Sequence, residues 1–275
     1  MKKLSIIFLF FSITFQAFAF DKVFLQTAKI AGTGGAVTST ADDLATFMYN
    51  PAGLSRLNSI QLMGDLFNLY QAGFENTLIG LYYPLFLNGG MGIVWKRIDA
   101  ERALDFENIE DTYFLIIAKE FFGINLGLGT KYLKEYTKND DVKLDDSDYE
   151  IDFGVQEKYK NLQFGISFLN TLKFLNLNKS NISSTINIGM SIRLIEELSI
   201  SLDYKNIEKE NEISIGAEYN PVEEVILRAG YYINFYYAFG FSYYIRRVRV
   251  DYTFSISQYS IGTTHYFGII YTYTM

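Results

Sequence analysis

Along most of this 275-residue chain, apolar residues alternate with polar or small ones. A period of two limits such a chain to strands with one oily face. In residues 247–257, Val248, Val250, Tyr252, Phe254 and Ile256 alternate with Arg247, Arg249, Asp251, Thr253, Ser255 and Ser257. Residues 198–205 set Leu198, Ile200, Leu202 and Tyr204 against Ser199, Ser201, Asp203 and Lys205. Fourteen segments read as strands: 58–70, 73–85, 90–98, 111–120, 123–136, 147–158, 161–171, 182–194, 197–206, 211–220, 223–232, 234–245, 247–257 and 263–275. Each strand with its turn takes roughly 16 residues, which suits membrane-crossing strands of about ten residues plus loops. The uncharged run from Asn76 to Trp95 reads as two strands, since Pro84 interrupts it and Asn88-Gly89-Gly90 signals a turn.

A soluble sandwich also alternates, but the residues on the two faces favour a closed barrel. Phe235, Tyr237, Phe239, Phe241 and Tyr243 share one face of one strand, which is too bulky for a thin sandwich core. The opposite face carries Gly92, Gly127, Gly129, Gly154, Gly165, Gly189, Gly216, Gly230, Gly240 and Gly268. Glycine only weakens a solvated sheet face. Pointing into a barrel, it allows bending and leaves room for an inserted segment. The expected fold is therefore all-β: a transmembrane barrel of about 14 antiparallel strands, apolar toward lipid and polar toward the lumen, with an N-terminal plug.

Composition narrows the function. The chain has no Cys and one His, which excludes disulfides, thiolate metal sites, cysteine nucleophiles and three-His zinc sites. Its net charge of −7 argues against nucleic acid as a partner. A mean hydropathy of +0.07 is too low for a bundle of membrane helices. Forty-six Phe and Tyr (24 and 22) exclude a disordered chain.

The amino terminus reads as a secretory signal over 1–19. Lys2 and Lys3 precede the uncharged run Leu4–Phe15, and Ala17-Phe18-Ala19 offers a cleavage site before Phe20. Export to the cell outer membrane follows. Residues 20–56 do not alternate and form the plug, ahead of a barrel over 57–275. Within the plug, Leu44, Phe47 and Met48 fall at helical spacing after Thr40 as N-cap, so a short helix is expected over 41–49, ended by Asn50-Pro51. The glycines nearby do not have GxGxxG spacing and lie in no βαβ unit.

Three motifs follow in order: Gly32-Thr33-Gly34-Gly35-Ala36, then Ala41-Asp42-Asp43, then Asn50-Pro51-Ala52-Gly53-Leu54. The succession resembles the N-terminal signature of FadL-like outer-membrane proteins, and is most similar to the PorV/PorQ family. Ile261, Gly262, Thr264 and His265 resemble that family's closing turn. Weaker echoes occur at Gly216–Tyr219 and Leu227–Tyr231. The chain departs from such barrels by ending on Met275 rather than an aromatic residue. The resemblance implies a fourteen-stranded barrel with an N-terminal hatch. It also implies passive passage of hydrophobic, fatty-acid-like molecules. The alternative it implies is a non-transporting scaffold that binds cargo in a type IX-like secretion system. The expected partners are thus outer-membrane lipids with either a hydrophobic small molecule or a secretion-system or secreted protein.

No residue reads as catalytic, and no cofactor or metal is called for. His265 shares parity with Phe267, Ile269 and Tyr271 on the lipid side, which fits a turn or interfacial role. Asp42 and Asp43 fit a helix N-terminus better than a metal pair. Asp140, Asp141, Asp145, Asp146 and Asp148 read as a solvated loop without calcium-site spacing. Lys96, Lys131, Arg193, Arg228, Arg247 and Arg249 are placed in the lumen with Asp152, Asp203, Glu218 and Asp251, chiefly as ion pairs that pin the hatch. A sharper expectation is that Arg193, Arg228 and Arg249 hold a carboxylate headgroup while Phe47 and Met48 line an apolar path.

Overall fold

The computed structural model describes residues 26–100, 107–138, 143–177, 183–208, 210–259 and 261–274. The secretory signal expected over 1–19, Asp140, Asp141 and Met275 lie outside these. The strands are β1 Ile60–Leu69, β2 Phe74–Phe86, β3 Gly89–Asp99, β4 Glu107–Phe121, β5 Ile124–Lys138, β6 Lys143–Tyr159 and β7 Leu162–Leu169. They continue as β8 Thr185–Ile195, β9 Leu198–Ile207, β10 Glu210–Val222, β11 Val225–Tyr232, β12 Tyr236–Ile245, β13 Val248–Ser257 and β14 Thr263–Tyr273. Each pairs antiparallel with its neighbour in sequence. β1 closes on β14 from Ile60↔Tyr273 to Asn68↔His265, so the sheet is a sealed barrel of 14 strands.

Pleating explains why the composition divides so cleanly. Leu62, Leu66, Ile79, Ile93, Leu115, Leu128, Phe239 and Ile269 point outward and are exposed, as a lipid-facing belt requires. Residues of the other parity are buried. Trp95, Tyr113, Tyr132 and Tyr149 pair side by side across β3 to β6 on the outer face and mark one edge of the belt. Ring centroids lie 6.2 Å apart for Tyr113–Tyr132 and 4.8 Å for Tyr132–Tyr149.

The two ends of the barrel differ. At one end β2–β3, β4–β5, β6–β7, β8–β9, β10–β11 and β12–β13 are joined by two-residue turns. Asn88, Phe122, Lys160 and Arg246 adopt φ of 52–57° there, the twist that suits tight hairpins. At the other end most connections are longer, and the one after β7 carries a short helix, α2 (Thr171–Phe174). Short turns of this kind face the periplasm in outer-membrane barrels.

Two expectations change. β4, β5 and β6 run beyond the strands expected at 111–120, 123–136 and 147–158, and rise past the tyrosine row. Both faces meet water there, so the alternation that marks a strand fades. Asp145, Asp146 and Asp148 consequently belong to β6 and not to a loop. Arg247 is an exposed turn residue beside the Tyr273 ring, outside the lumen, because the chain reverses at Arg246 before β13 begins.

Candidate functional site

Residues 26–59 make a circuit of the inside of the wall. Helix α1 (Ala28–Gly32) is capped by the Thr27 side chain and packs against β11 to β14. Gly34 and Gly35, at φ 63° and 79°, end it and bend the chain. Residues 37–39 then cross β6 to β9. A 3-10 helix, Pro51–Arg56, follows on β3 to β6, with the Asn50 side chain capping Ala52 N and proline at its first turn.

The helix expected over 41–49 does not form; this stretch is a chain of turns. The Asp43 carboxylate accepts from Ala45 N at 3.0 Å and from Thr46 Oγ1 at 3.2 Å, competing with helical bonding. Leu44, Ala45, Phe47, Met48 and Tyr49 are all buried, so there is no solvent face for an amphipathic helix to present.

The inward glycines form the seat of this segment. A Cβ at Gly127 or Gly154 would run into Pro51–Ala52 and Asn50, one at Gly165 into Thr38, and one at Gly230 into Thr33 and Gly34. Within the segment, a Cβ at Gly32 would lie 2.8 Å from Thr253 Oγ1, and one at Gly53 would strike Ala41. Polar side chains of the wall and of the segment complete the fit. Asp203 accepts from Val37 N and Thr38 N at 3.0 and 2.9 Å. Asn50 donates to Thr38 O at 2.8 Å and to Val155 O at 3.1 Å. Ser167 donates to Tyr49 O, and Ser55 to Asn125 Oδ1, both at 2.6 Å.

A largely buried ion network, exposed at Asp42, ties α1 and Asp43 to the wall. Lys29 Nζ lies 2.6 Å from Asp42 and 3.1 Å from Asp43, and Arg249 lies 2.7 Å from Asp43 and 2.9 Å from Asp251. Arg228 joins Glu218 at 2.6 Å and Asp251 at 3.7 Å. Burial alone would lower the Lys29 ammonium, but Asp42, Asp43 and Glu218 outweigh it and hold its pKa above the ordinary lysine value. Burial alone would raise Asp43, yet Lys29 and Arg249 hold its carboxyl well below the usual range.

The segment separates two openings of opposite character. Toward the long-loop end is a cavity of about 90 Å³ lined by Met48, Ile98, Phe114, Leu133, Leu169 and Ile207, with Lys96, Lys131 and Lys205 among them. Lys131 is held by Asp152 at 2.9 Å and Asn170 Oδ1 at 2.6 Å. Toward the short-turn end is a polar cleft of about 360 Å³ lined by Lys29, Asp42, Asp43, Arg193, Glu196, Glu197, Glu218, Arg228 and Arg249.

The residues singled out in sequence therefore lie on different sides of the segment. Met48 lines the apolar cavity. Phe47 packs beside it, edge-on to Phe114 with centroids 5.1 Å apart. Arg228 and Arg249 lie across the segment in the ion network, and Arg193 sits at the rim of the polar cleft at the end of β8. Sequence reading did not single out Lys205, Tyr49 or Tyr232, which line the cavity, nor the fully buried Tyr82, Tyr236 and Tyr266. Parity was the available signal: Lys205 shares the polar face of β9 with Asp203, and Tyr266 shares the inner face of β14 with Gly268. His265 sits at the outer rim, its Nδ1 2.8 Å from Tyr252 OH.

No family model and no curated relative matches the sequence. Solved structures do resemble the fold. A Pseudomonas aeruginosa FadL homologue superposes with TM-score 0.58 at 10% identity, covering 90% of this chain and 98% of that one. The Pseudomonas putida toluene transporter TodX gives 0.63 at 11% identity, covering 90% and 98%. The Ralstonia pickettii toluene transporter TbuX gives 0.61 at 12%, covering 90% and 97%. The fold is that of FadL-like outer-membrane barrels.

Proposed function

We propose that this barrel is a passive outer-membrane channel for hydrophobic small molecules bearing an acidic group, fatty-acid-like in outline, with residues 26–59 as its gate. One observation carries the reading: a lumen closed across its middle by a seated segment, with an apolar, lysine-bearing cavity above it. Met48, Phe114, Leu133 and Ile207 suit the hydrocarbon body, and the lysines suit a carboxylate. Solved barrels of this fold include two toluene transporters, which supports passage of an apolar body. On the three motifs of the segment we also place the chain with the PorV/PorQ branch, and we take 20–56 as hatch and 57–275 as barrel.

The reading is tested with purified protein in proteoliposomes, following entry of a fluorescent fatty acid. Deletion of residues 31–54 should change the rate at least several-fold. An unchanged rate, or a barrel that holds no ligand and instead retains one stable protein partner through purification, overturns the channel.

A further inference from the structure

Lys205 lies at the seam between wall and segment. Its ammonium donates to Ser214 Oγ at 3.0 Å and sits 4.7 Å from the Tyr49 ring and 4.4 Å from the Tyr232 ring. Tyr232 belongs to β11, whereas Tyr49 belongs to the segment. Gly35 of the segment also abuts it: a Cβ there would stand 2.6 Å from Nζ. The same side chain lines the apolar cavity. One buried cation is thus shared by the wall, the segment and the space a ligand would fill.

We infer that Lys205 makes opening selective for acidic ligands, by coupling their arrival in the cavity to release of the segment. The inference rests on the channel reading above. A carboxylate entering the cavity offers Lys205 a charge-assisted hydrogen bond in a water-poor site, which is stronger than the attraction of an aromatic face. To accept it, Nζ turns from the Tyr49 ring, and that ring loses its cationic neighbour. Asp203 and Glu212, on neighbouring inward positions of β9 and β10, also attract the Lys205 ammonium, and an incoming carboxylate competes with them as well as with the rings. Lys131 differs because Asp152 and Asn170 hold its Nζ directly and its capture leaves the segment untouched. An uncharged molecule of the same length fills the cavity without addressing Lys205.

The absence of cysteine permits a clean test on the full chain in detergent. A thiol is introduced by Thr40→Cys on the segment, and maleimide labelling is timed with decanoate, with 1-decanol or with neither, while calorimetry measures binding of each. Both amphiphiles are expected to bind, and decanoate alone to accelerate labelling tenfold or more. Lys205→Met should abolish the acceleration. Tyr49→Phe, which keeps the ring, should preserve it, and Tyr49→Leu should label fast without any ligand. Binding of both amphiphiles with equal acceleration, or a Lys205→Met protein that still responds to decanoate, overturns the coupling alone. Failure of decanoate to bind overturns the channel reading and the coupling with it, whereas failure of 1-decanol alone overturns the coupling, because selectivity would then lie in binding and not in opening.

Discussion

The two halves of the luminal segment are held by different physics. Residues 26–43 add charge to close fit: Thr33, Gly34 and Thr38 sit on Gly230 and Gly165, while Lys29 and Asp43 share a network with Arg249, Asp251 and Arg228, and Asp203 clamps Val37 and Thr38. Residues 44–57 are fixed by fit: Leu44 meets Gly80, Leu54 meets Gly92, and Asn50 to Ala52 press on Gly127 and Gly154. Charge contacts can be exchanged for a ligand's charge, whereas steric fit has no such substitute. Lys205 over the Tyr49 ring carries a charge contact into the fitted half, so a ligand's charge has a point of attack there as well.

The largest expected effect tests the charged half. Asp43→Asn removes the carboxylate between Lys29 and Arg249, which keep Asp42 and Asp251 as partners, and should cost about 1.5–3 kcal/mol. Amide hydrogen exchange across 28–43 should accelerate strongly while 44–57 stays protected. Equal loss across 28–57 would show that the segment moves as one unit and that the contrast has no mechanical meaning.

The converse change is next in size. Gly154→Val forces a branched side chain into Asn50 and Pro51, an overpacking that should cost about 1–3 kcal/mol. Exchange should rise over 44–57 and not over 28–43. The barrel itself should survive, since heat-modifiable migration on gels reports wall strands that this substitution leaves paired. A loss of protection confined to 28–43 would reverse the assignment of the two halves.

Legibility in sequence follows the same division. The wall could be read almost strand by strand, because lipid outside and polar lumen inside impose a period of two on every crossing residue. The inward glycines were readable for the same reason, though Gly154 and Gly165 disclose their purpose only when Asn50 and Thr38 are seen against them. The segment was harder. Leu44, Phe47 and Met48 have helical spacing, but that spacing signals a helix only where one face meets water, and here every side is enclosed. Lys205 was visible by parity on β9, yet its tie to Tyr49 joins residues 156 apart in sequence, a contact no local pattern encodes. The top of β6 was missed because its two faces share one environment.

A smaller change sharpens the contrast from within the fitted half. Phe47→Leu keeps an apolar side chain but loses the edge-on contact with Phe114, worth about 0.5–1.5 kcal/mol. Exchange at Phe47 and Met48 should rise modestly, with Asn50 to Ala52 still seated. If the whole of 44–57 loosened, Phe47 rather than the glycine seat would be the anchor.

The smallest expected effect is that of pH, and its near absence is informative. Asp43 has a carboxyl held below its ordinary value, so its contribution is complete above the unfolded pKa and is lost only as pH falls through the depressed one. Lys29 has its pKa raised, so its contribution is complete below the unfolded value and is lost only as pH rises through the higher one. The two windows overlap across the whole interval between ordinary carboxylate and lysine ionisation, about pH 4–10. The difference in Thr40→Cys labelling between the Asp43 protein and its Asp43→Asn variant isolates this pair from the other groups that hold the segment, and it should therefore stay flat from about pH 5 to 9, well inside that interval. A fall in that difference near pH 5 would mean that the Asp43 carboxyl is not held below its ordinary value, and that acid alone could loosen the charged half.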